Sequence, residues 1–385
     1  MTQPRHAFTG AAIFDGTIRH SGHALVIEAG QVAAIVPEAE LDPAIPEERL
    51  TGGLICPGFV DLQVNGGGGV MLNDDPSVAA LSRMVQAHAR LGATSILPTL
   101  ITDGPDKVSA AIDAVEQAIA QGVPGILGLH LEGPHLSVAR KGAHDAGLIR
   151  PMGGHDLDRM RDAARRLPVL MLTVAPETVT PAQIETLADA GVIVSIGHSD
   201  AGFETCIDAA GAGATCVTHL FNAMRQLGNR EPGVVGAALS CGGLSAGLIV
   251  DGHHVHPEAM RIALRAKQGP GRIFLVSDAM AVAGTDTDGF DLGERRVLRR
   301  GGRLTLEDGT LAGADLDLLT AVRNLLRWKL ADADTALAMA TDVPARLIHA
   351  VPGIGALVPG GPADFLHVDL AADAPATVWK AGRHV

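Results

Sequence analysis

The chain lacks the usual marks of an exported, membrane-bound or nucleic-acid-binding protein. Its four cysteines, Cys56, Cys206, Cys216 and Cys241, include no CxxC pair. Sparse, unpatterned cysteine in 385 residues reads as reduced thiols of a cytosolic protein, not a disulfide scaffold or a thiolate metal site. No apolar run approaches the ~18 residues that would read as a membrane span. The polar stretch Met1 to Gly10 has no apolar core of the kind that marks an export signal. The expectation is a soluble, cytoplasmic protein with no membrane partner. Basic excess is also missing. A net charge of −13 argues against nucleic acid or an anionic membrane surface as partner. A small anionic substrate stays open, because a buried Arg and a His can invert the field locally. There is no repeat of solenoid period. The 47 Gly and 22 Pro are dispersed between apolar runs as turn punctuation.

What is present is a rhythm. The first ~53 residues pattern as short strands, with Ala24–Glu28 and Gln31–Val36 flanking an Ala29-Gly30 hairpin turn. Asp42 to Glu48, rich in Pro and acid, reads as a loop. From Leu54 the pattern becomes strand, loop, helix, repeated. Eight apolar runs are followed by polar ends: 54–64, 93–100, 125–131, 169–174, 192–196, 215–218, 244–250 and 273–276. Helical spacing fills most of the intervals, as in 78–90, 107–120, 182–190 and 257–267. Eight such units predict a (β/α)8 TIM-like barrel over 54–347, with its site on the loops after the strands. A doubly wound open sheet is the competing fold, but it needs chemical side chains mainly at one switch point. Residues 1–53 and 348–385 are expected to combine into one small β-sandwich domain beside the barrel.

The strand ends carry the chemistry. His130-Leu131-Glu132-Gly133-Pro134 ends a run with a carboxylate, Gly197-His198-Ser199 and Thr218-His219 end two others with imidazoles, and Ser277-Asp278 ends the last. Glu132, His198 and His219 form a three-ligand set with an open position for water, which suits catalytic Zn²⁺. Asp278 across the mouth can take a proton from metal-bound water. Each residue also has an ordinary reading: a hydrogen-bonded loop His, or a Ser-Asp helix cap. All four being ordinary at once is the harder case. His130 shares a strand face with Glu132 and is open between supporting the metal site and a satisfied core imidazole. Cys216 has the wrong parity to join His219 as a ligand and reads as a buried thiol. Of the adjacent His253 and His254, at most one can enter the site. His135, His155 and His349 read as structural.

These segments, together with Pro57-Gly58-Phe59-Val60-Asp61-Leu62-Gln63-Val64-Asn65-Gly66, Leu220-Phe221-Asn222-Ala223-Met224 and Asp251-Gly252-His253-His254, resemble the N-acetylglucosamine-6-phosphate deacetylases of the amidohydrolase superfamily. The resemblance runs from Pro57 to about Gly313. It implies Glu132, His198 and His219 as ligands of one divalent metal, Zn²⁺ foremost with Fe²⁺ or another ion open. It implies Asp278 as general acid/base and His144 as polariser of the acetamide carbonyl, with metal-bound hydroxide as nucleophile. It further implies substrate contacts from Ala143, Asn222 and Ala223, a closing loop at Leu311, Ala312 and Gly313, and a phosphate grip from His254 and Arg230. The arginine is implied to reach in from the neighbouring subunit of a homodimer. Many superfamily members carry His-x-His where this chain has Gln63 and Asn65. Amides are weak Zn²⁺ ligands, so a single metal is expected. The implied substrate is N-acetyl-D-glucosamine 6-phosphate, a phosphorylated amino sugar. The galactosamine epimer is the nearest alternative; another amidohydrolase acting on an N-acyl substrate and a non-catalytic barrel are more distant ones.

Overall fold

The structure, a computed structural model, describes residues 5–349 and 352–385. Eight parallel strands form one sheet: β1 (Phe59–Val64), β2 (Ala93–Ile101), β3 (Leu129–Glu132), β4 (Leu170–Val174), β5 (Ile193–Ile196), β6 (Cys216–Val217), β7 (Ser245–Leu248) and β8 (Ile273–Leu275). They pair in chain order. They are largely buried on both faces because one face lines the barrel interior and the other packs under helices; every residue of β4, for example, is buried. The ring closes where Val64 bridges Ala279, with Asp278 N–H donating to the Gln63 carbonyl at 3.1 Å and Asn65 N–H to the Ala279 carbonyl at 2.9 Å. The fold is therefore the expected (β/α)8 barrel.

Each strand is followed by a helix: α1 (Val78–Arg90), α2 (Pro105–Ala120), α3 (Gly154–Arg166), α4 (Pro181–Asp189), α5 (Phe203–Gly211), α6 (Gly233–Ser240), α7 (Pro257–Ala266) and α8 (Leu318–Arg327). Local chemistry starts them. Thr180 accepts from the Gln183 amide while Gln183 returns a bond to Thr180, with Pro181 in the first turn of α4. Asp317 caps α8 through the Thr320 N–H at 2.8 Å.

Beside the barrel lies a β-sandwich built from both ends of the chain. One sheet orders Gln31–Pro37, His23–Glu28, His6–Thr9 and Glu47–Arg49; the other runs Arg383–His384, Thr377–Lys380, Phe365–Val368, Leu54–Pro57, Ala12–Phe14 and Arg19–His20. Phe8, Ile13, Leu25, Ile55, Phe365 and Trp379 fill the space between them, with Phe365 stacked on Trp379 at 4.9 Å. The hairpin turn is where the sequence puts it: Ala29 and Gly30 both have positive φ, 55° and 78°, which a two-residue turn with the twist of the strands requires.

Three local expectations change. The run 54–64 is two strands, not one: Leu54–Pro57 pairs with Phe365–Val368 and Ala12–Phe14 in the sandwich, and the chain changes sheet at Gly58. Glu47–Arg49, at the end of the expected loop, pairs in parallel with His6–Thr9. Between β8 and α8 an antiparallel four-stranded sheet is inserted: Gly289–Leu292, Arg295–Arg300, Arg303–Thr305 and Leu311–Ala314. The expected closing loop at 310–313 is largely the last strand of that sheet. No helix among the described residues is long and apolar enough to cross a membrane.

Candidate metal centre and active site

The barrel brings Glu132, His198 and His219 to one point. Glu132 is the last residue of β3, and the imidazoles stand just past β5 and β6. Glu132 Oε1 lies 3.0 Å from Nε2 of each histidine, and the two Nε2 atoms are 3.0 Å apart. His198 Nδ1 lies 2.9 Å from the Arg140 carbonyl. Donating its proton there leaves the Nε2 lone pair aimed at the centre, the arrangement a metal-binding imidazole needs. Two imidazole lone pairs and a carboxylate oxygen at this separation repel unless a cation sits among them. Bonds of about 2.0–2.1 Å to one ion place neighbouring ligand atoms about 2.9–3.4 Å apart between octahedral and tetrahedral angles, so the donor set fits a divalent metal. Where protons stand on the imidazoles in place of an ion, their hydrogen bonds and charge outweigh burial and hold the Glu132 carboxylate well below its usual range. His198, His219 and Asp278 have φ of 47°, 28° and 50°. Non-glycine residues pay for that conformation, and the payment is concentrated at this site.

Asp278 faces the same centre from the barrel seam. Its Oδ1 accepts from Asn65 Nδ2 at 2.7 Å and from Gln63 Nε2 at 3.1 Å. Gln63 Nε2 also lies 3.2 Å from Glu132 Oε1. The two amides thus hold carboxylates, a role the sequence did not reveal. Burial, reinforced by the charge of Glu132, pushes Asp278 up to about 6.

His144 stands on the other side, its ring centroid 4.3 Å from that of His198. The Thr102 amide N–H donates to His144 Nδ1 at 3.4 Å, which leaves the ring proton on Nε2, and the Thr102 hydroxyl, 2.7 Å from Nδ1, also faces the Glu132 carbonyl at 3.2 Å. Burial, with the charge of His198, lowers His144 to about 3, so the ring is neutral at physiological pH. His254 Nδ1 lies 2.6 Å from the Asp251 carboxylate, which also accepts the His254 backbone N–H. Neither Thr102 nor Asp251 was singled out from sequence. Asp251 stood inside the Asp251-Gly252-His253-His254 segment without a role of its own, and Thr102 lies just past the run 93–100.

A cavity of about 380 Å³ joins these groups, and Asn65, Ala143, Asn222, Ala223, Leu311 and Gly313 help line it. Some predicted residues stand elsewhere. Ala312, in the last strand of the inserted sheet, is fully buried in a cluster with Met280, Phe290 and Leu304. Arg230 is exposed and does not line the cavity of its own chain. Gln63 lies behind the wall, reaching Asp278 from below. His130 resolves to a satisfied core residue: Nδ1 is 3.0 Å from the Leu62 carbonyl and Nε2 2.8 Å from Thr173 Oγ1, and burial lowers it to about 4. His253 contacts Arg303 at 3.0 Å, so His254 alone of the pair enters the cavity. Cys216 is buried.

Barrel, site and sequence agree on a class. Residues 54–385 match the model of the Amidohydrolase family, and residues 6–55 match the NagA composite domain. The chain belongs to the amidohydrolase family, whose superfamily is metal-dependent. Within it, the chain is 44% identical over 337 residues to an N-acetylgalactosamine-6-phosphate deacetylase of Shewanella sp. (strain ANA-3), covering 88% of this chain and 84% of that one. It is 33% identical to the N-acetylglucosamine-6-phosphate deacetylase of Haemophilus influenzae, covering 88% of each. The crystal structure of N-acetylglucosamine-6-phosphate deacetylase from Pasteurella multocida superposes with a TM-score of 0.93 at 32% identity, covering 99% of both chains.

Proposed function

We propose that this protein hydrolyses the acetamide of N-acetyl-D-glucosamine 6-phosphate to D-glucosamine 6-phosphate and acetate, with one divalent metal per subunit. The observation that carries the reading is a three-acceptor cluster with 3.0 Å spacings facing an amide-held carboxylate across one cavity. Glu132, His198 and His219 would hold the ion, Zn²⁺ by the chemistry of two imidazoles and one carboxylate. When bound, such an ion polarises the substrate carbonyl and makes water acidic enough to attack near neutral pH.

The remaining work belongs to side chains. Asp278 accepts a proton from the attacking water and passes it to the departing amine. Its near-neutral pKa suits both halves of that transfer. His144, neutral with its proton on Nε2, donates to the oxygen on which negative charge develops. His254, oriented by Asp251, offers Nε2 to the phosphate. Arg230 completes the phosphate grip from the neighbouring subunit of a homodimer; its exposure, near Leu227 at 56% exposure, supports that reading. The amide nitrogens of Gln63 and Asn65 hold Asp278 and, from Gln63, Glu132, and amide oxygens are weak Zn²⁺ ligands beside imidazole, which favours one metal over two. Two metals at full occupancy in a metal analysis would overturn it. Four free cysteines fit a reducing, cytoplasmic setting.

A second reading is favoured by the 44% identity to the galactosamine-specific relative: the same chemistry on the C4 epimer. Acetate release from both 6-phosphate epimers and from unphosphorylated N-acetylglucosamine, with and without chelator, tests both readings. Release from neither epimer in the metal-loaded enzyme would sink the function.

A further inference from the structure

The catalytic cavity has a neighbour. A second cavity of about 580 Å³ lies on the far side of His144, and the two share Ile101, Ala143, His144 and Leu292 as lining. His144 is fixed by its bond to Thr102, and Ala143 is fixed by Arg295, which donates to its carbonyl at 2.6 Å. The parts of the partition free to set its thickness are the two aliphatic side chains.

Their placement is tied to the reacting groups. Ile101 is the cross-strand partner of Glu132 in the β2–β3 pairing. Met280, close behind Asp278 in sequence, lines the catalytic cavity and packs in one buried cluster with Ile101 and Leu292. An acyl carbonyl held between the metal ligands, Asp278 and His144 must project its alkyl group away from those polar atoms. Ala139, Ala223 and Leu311 also line the cavity, and of its apolar lining Ile101, Met280 and Leu292 share one buried cluster with Ala143 packed against it. Leu292 differs from the other two because it comes from the inserted sheet, at the end of Gly289–Leu292, and not from a barrel strand.

We propose that Ile101, Met280 and Leu292 form the wall that limits the acyl group to acetyl size, and that Leu292 is the partition between the acyl site and the second cavity. This rests on the N-acyl hydrolase reading above and adds its acyl-length rule. A hydrophobic wall discriminates about 10–200-fold per methylene. The natural enzyme therefore takes formyl and acetyl and rejects longer chains, while a shortened residue 292 opens room for them.

The test is a series of N-formyl, N-acetyl, N-propionyl and N-butyryl glucosamine 6-phosphates, and the matching galactosamine series, assayed by amine release with the metal-loaded enzyme. In the natural protein kcat/KM falls at least tenfold from acetyl to butyryl. In Leu292→Ala the butyryl-to-acetyl ratio rises at least tenfold, and in Leu292→Phe it falls further. Leu292→Val, which shortens the side chain without emptying the site, moves the ratio in the same direction as alanine and stands in if the alanine variant does not fold. An acyl profile that is flat in the natural enzyme, or a ratio unchanged across the variants, overturns the wall while leaving the deacetylase reading intact. No release from any acyl derivative in the natural enzyme overturns the function itself.

Discussion

The Asn65 side-chain amide donates to the Asp278 carboxylate over 2.7 Å, joining residues 213 positions apart in the chain. The bond spans the seam where the first and last barrel strands meet. It fixes the direction of the carboxylate and favours its charged form, two effects that separate experimentally.

Asp278→Asn keeps the size and hydrogen bonding of the side chain and removes its basicity. Turnover is expected to fall by about 10²–10⁴ with metal content unchanged. Elemental analysis alongside steady-state kinetics checks this, and near-normal kcat would remove Asp278 from the chemistry.

Asn65→Ala removes a donor to the charged carboxylate. Losing stabilisation of the anion raises an acid's pKa, so the value of about 6 moves upward. Because activity needs the ionised base, the acid limb of kcat/KM against pH shifts to higher pH. An unshifted limb in an active variant would show that the amide serves geometry alone.

Chelation should abolish acetate release and also lower the melting temperature, because the ion binds the folded centre and not the unfolded chain. Readdition of Zn²⁺ restores both. In Glu132→Gln, a carboxylate ligand becomes a weak amide; metal then binds at least tenfold more weakly by titration. Unchanged affinity would place the ion elsewhere.

Arg230→Ala should raise KM for the phosphorylated sugar and leave the weak activity on the unphosphorylated sugar unchanged, as expected for loss of uniform binding. Equal effects on both sugars would place the phosphate elsewhere.

Phe365→Ala empties the centre of the sandwich, where Phe8 and Trp379 both pack on the ring. A loss of about 3–5 kcal/mol is expected, measured by denaturant unfolding. A loss below about 1 kcal/mol would show that the sandwich core repacks around the gap.

The candidate metal ligands were legible because each ends or directly follows an apolar run with a side chain of metal-ligand chemistry. Asp278 was legible for the same reason. The amide pair was recognised only for what it could not bind, since its partners are Glu132 and Asp278, far along the chain. Thr102 and Asp251 stayed hidden because their acceptors or donors are decided by loop shape. The inserted sheet was missed because Arg295–Arg300 contains four arginines, which obscure the alternation of a half-buried strand. The split at Gly58 was missed because both strands are fully buried, so hydrophobicity runs through the change of sheet.

The sandwich draws its strands from both ends of the chain, and this sets an order of events during synthesis. His367 finds its hydrogen-bond partner Gly52 315 residues upstream, and the strand Leu54–Pro57 has Phe365–Val368 as a neighbour. While a ribosome is making the barrel, that early strand has an open edge and Phe8 and Ile13 lack their cover. The small domain is thus a closing clasp, completed only after the catalytic barrel has been made. Translation halted before Phe365 would yield a barrel with an exposed sticky edge, a natural substrate for chaperones and proteases.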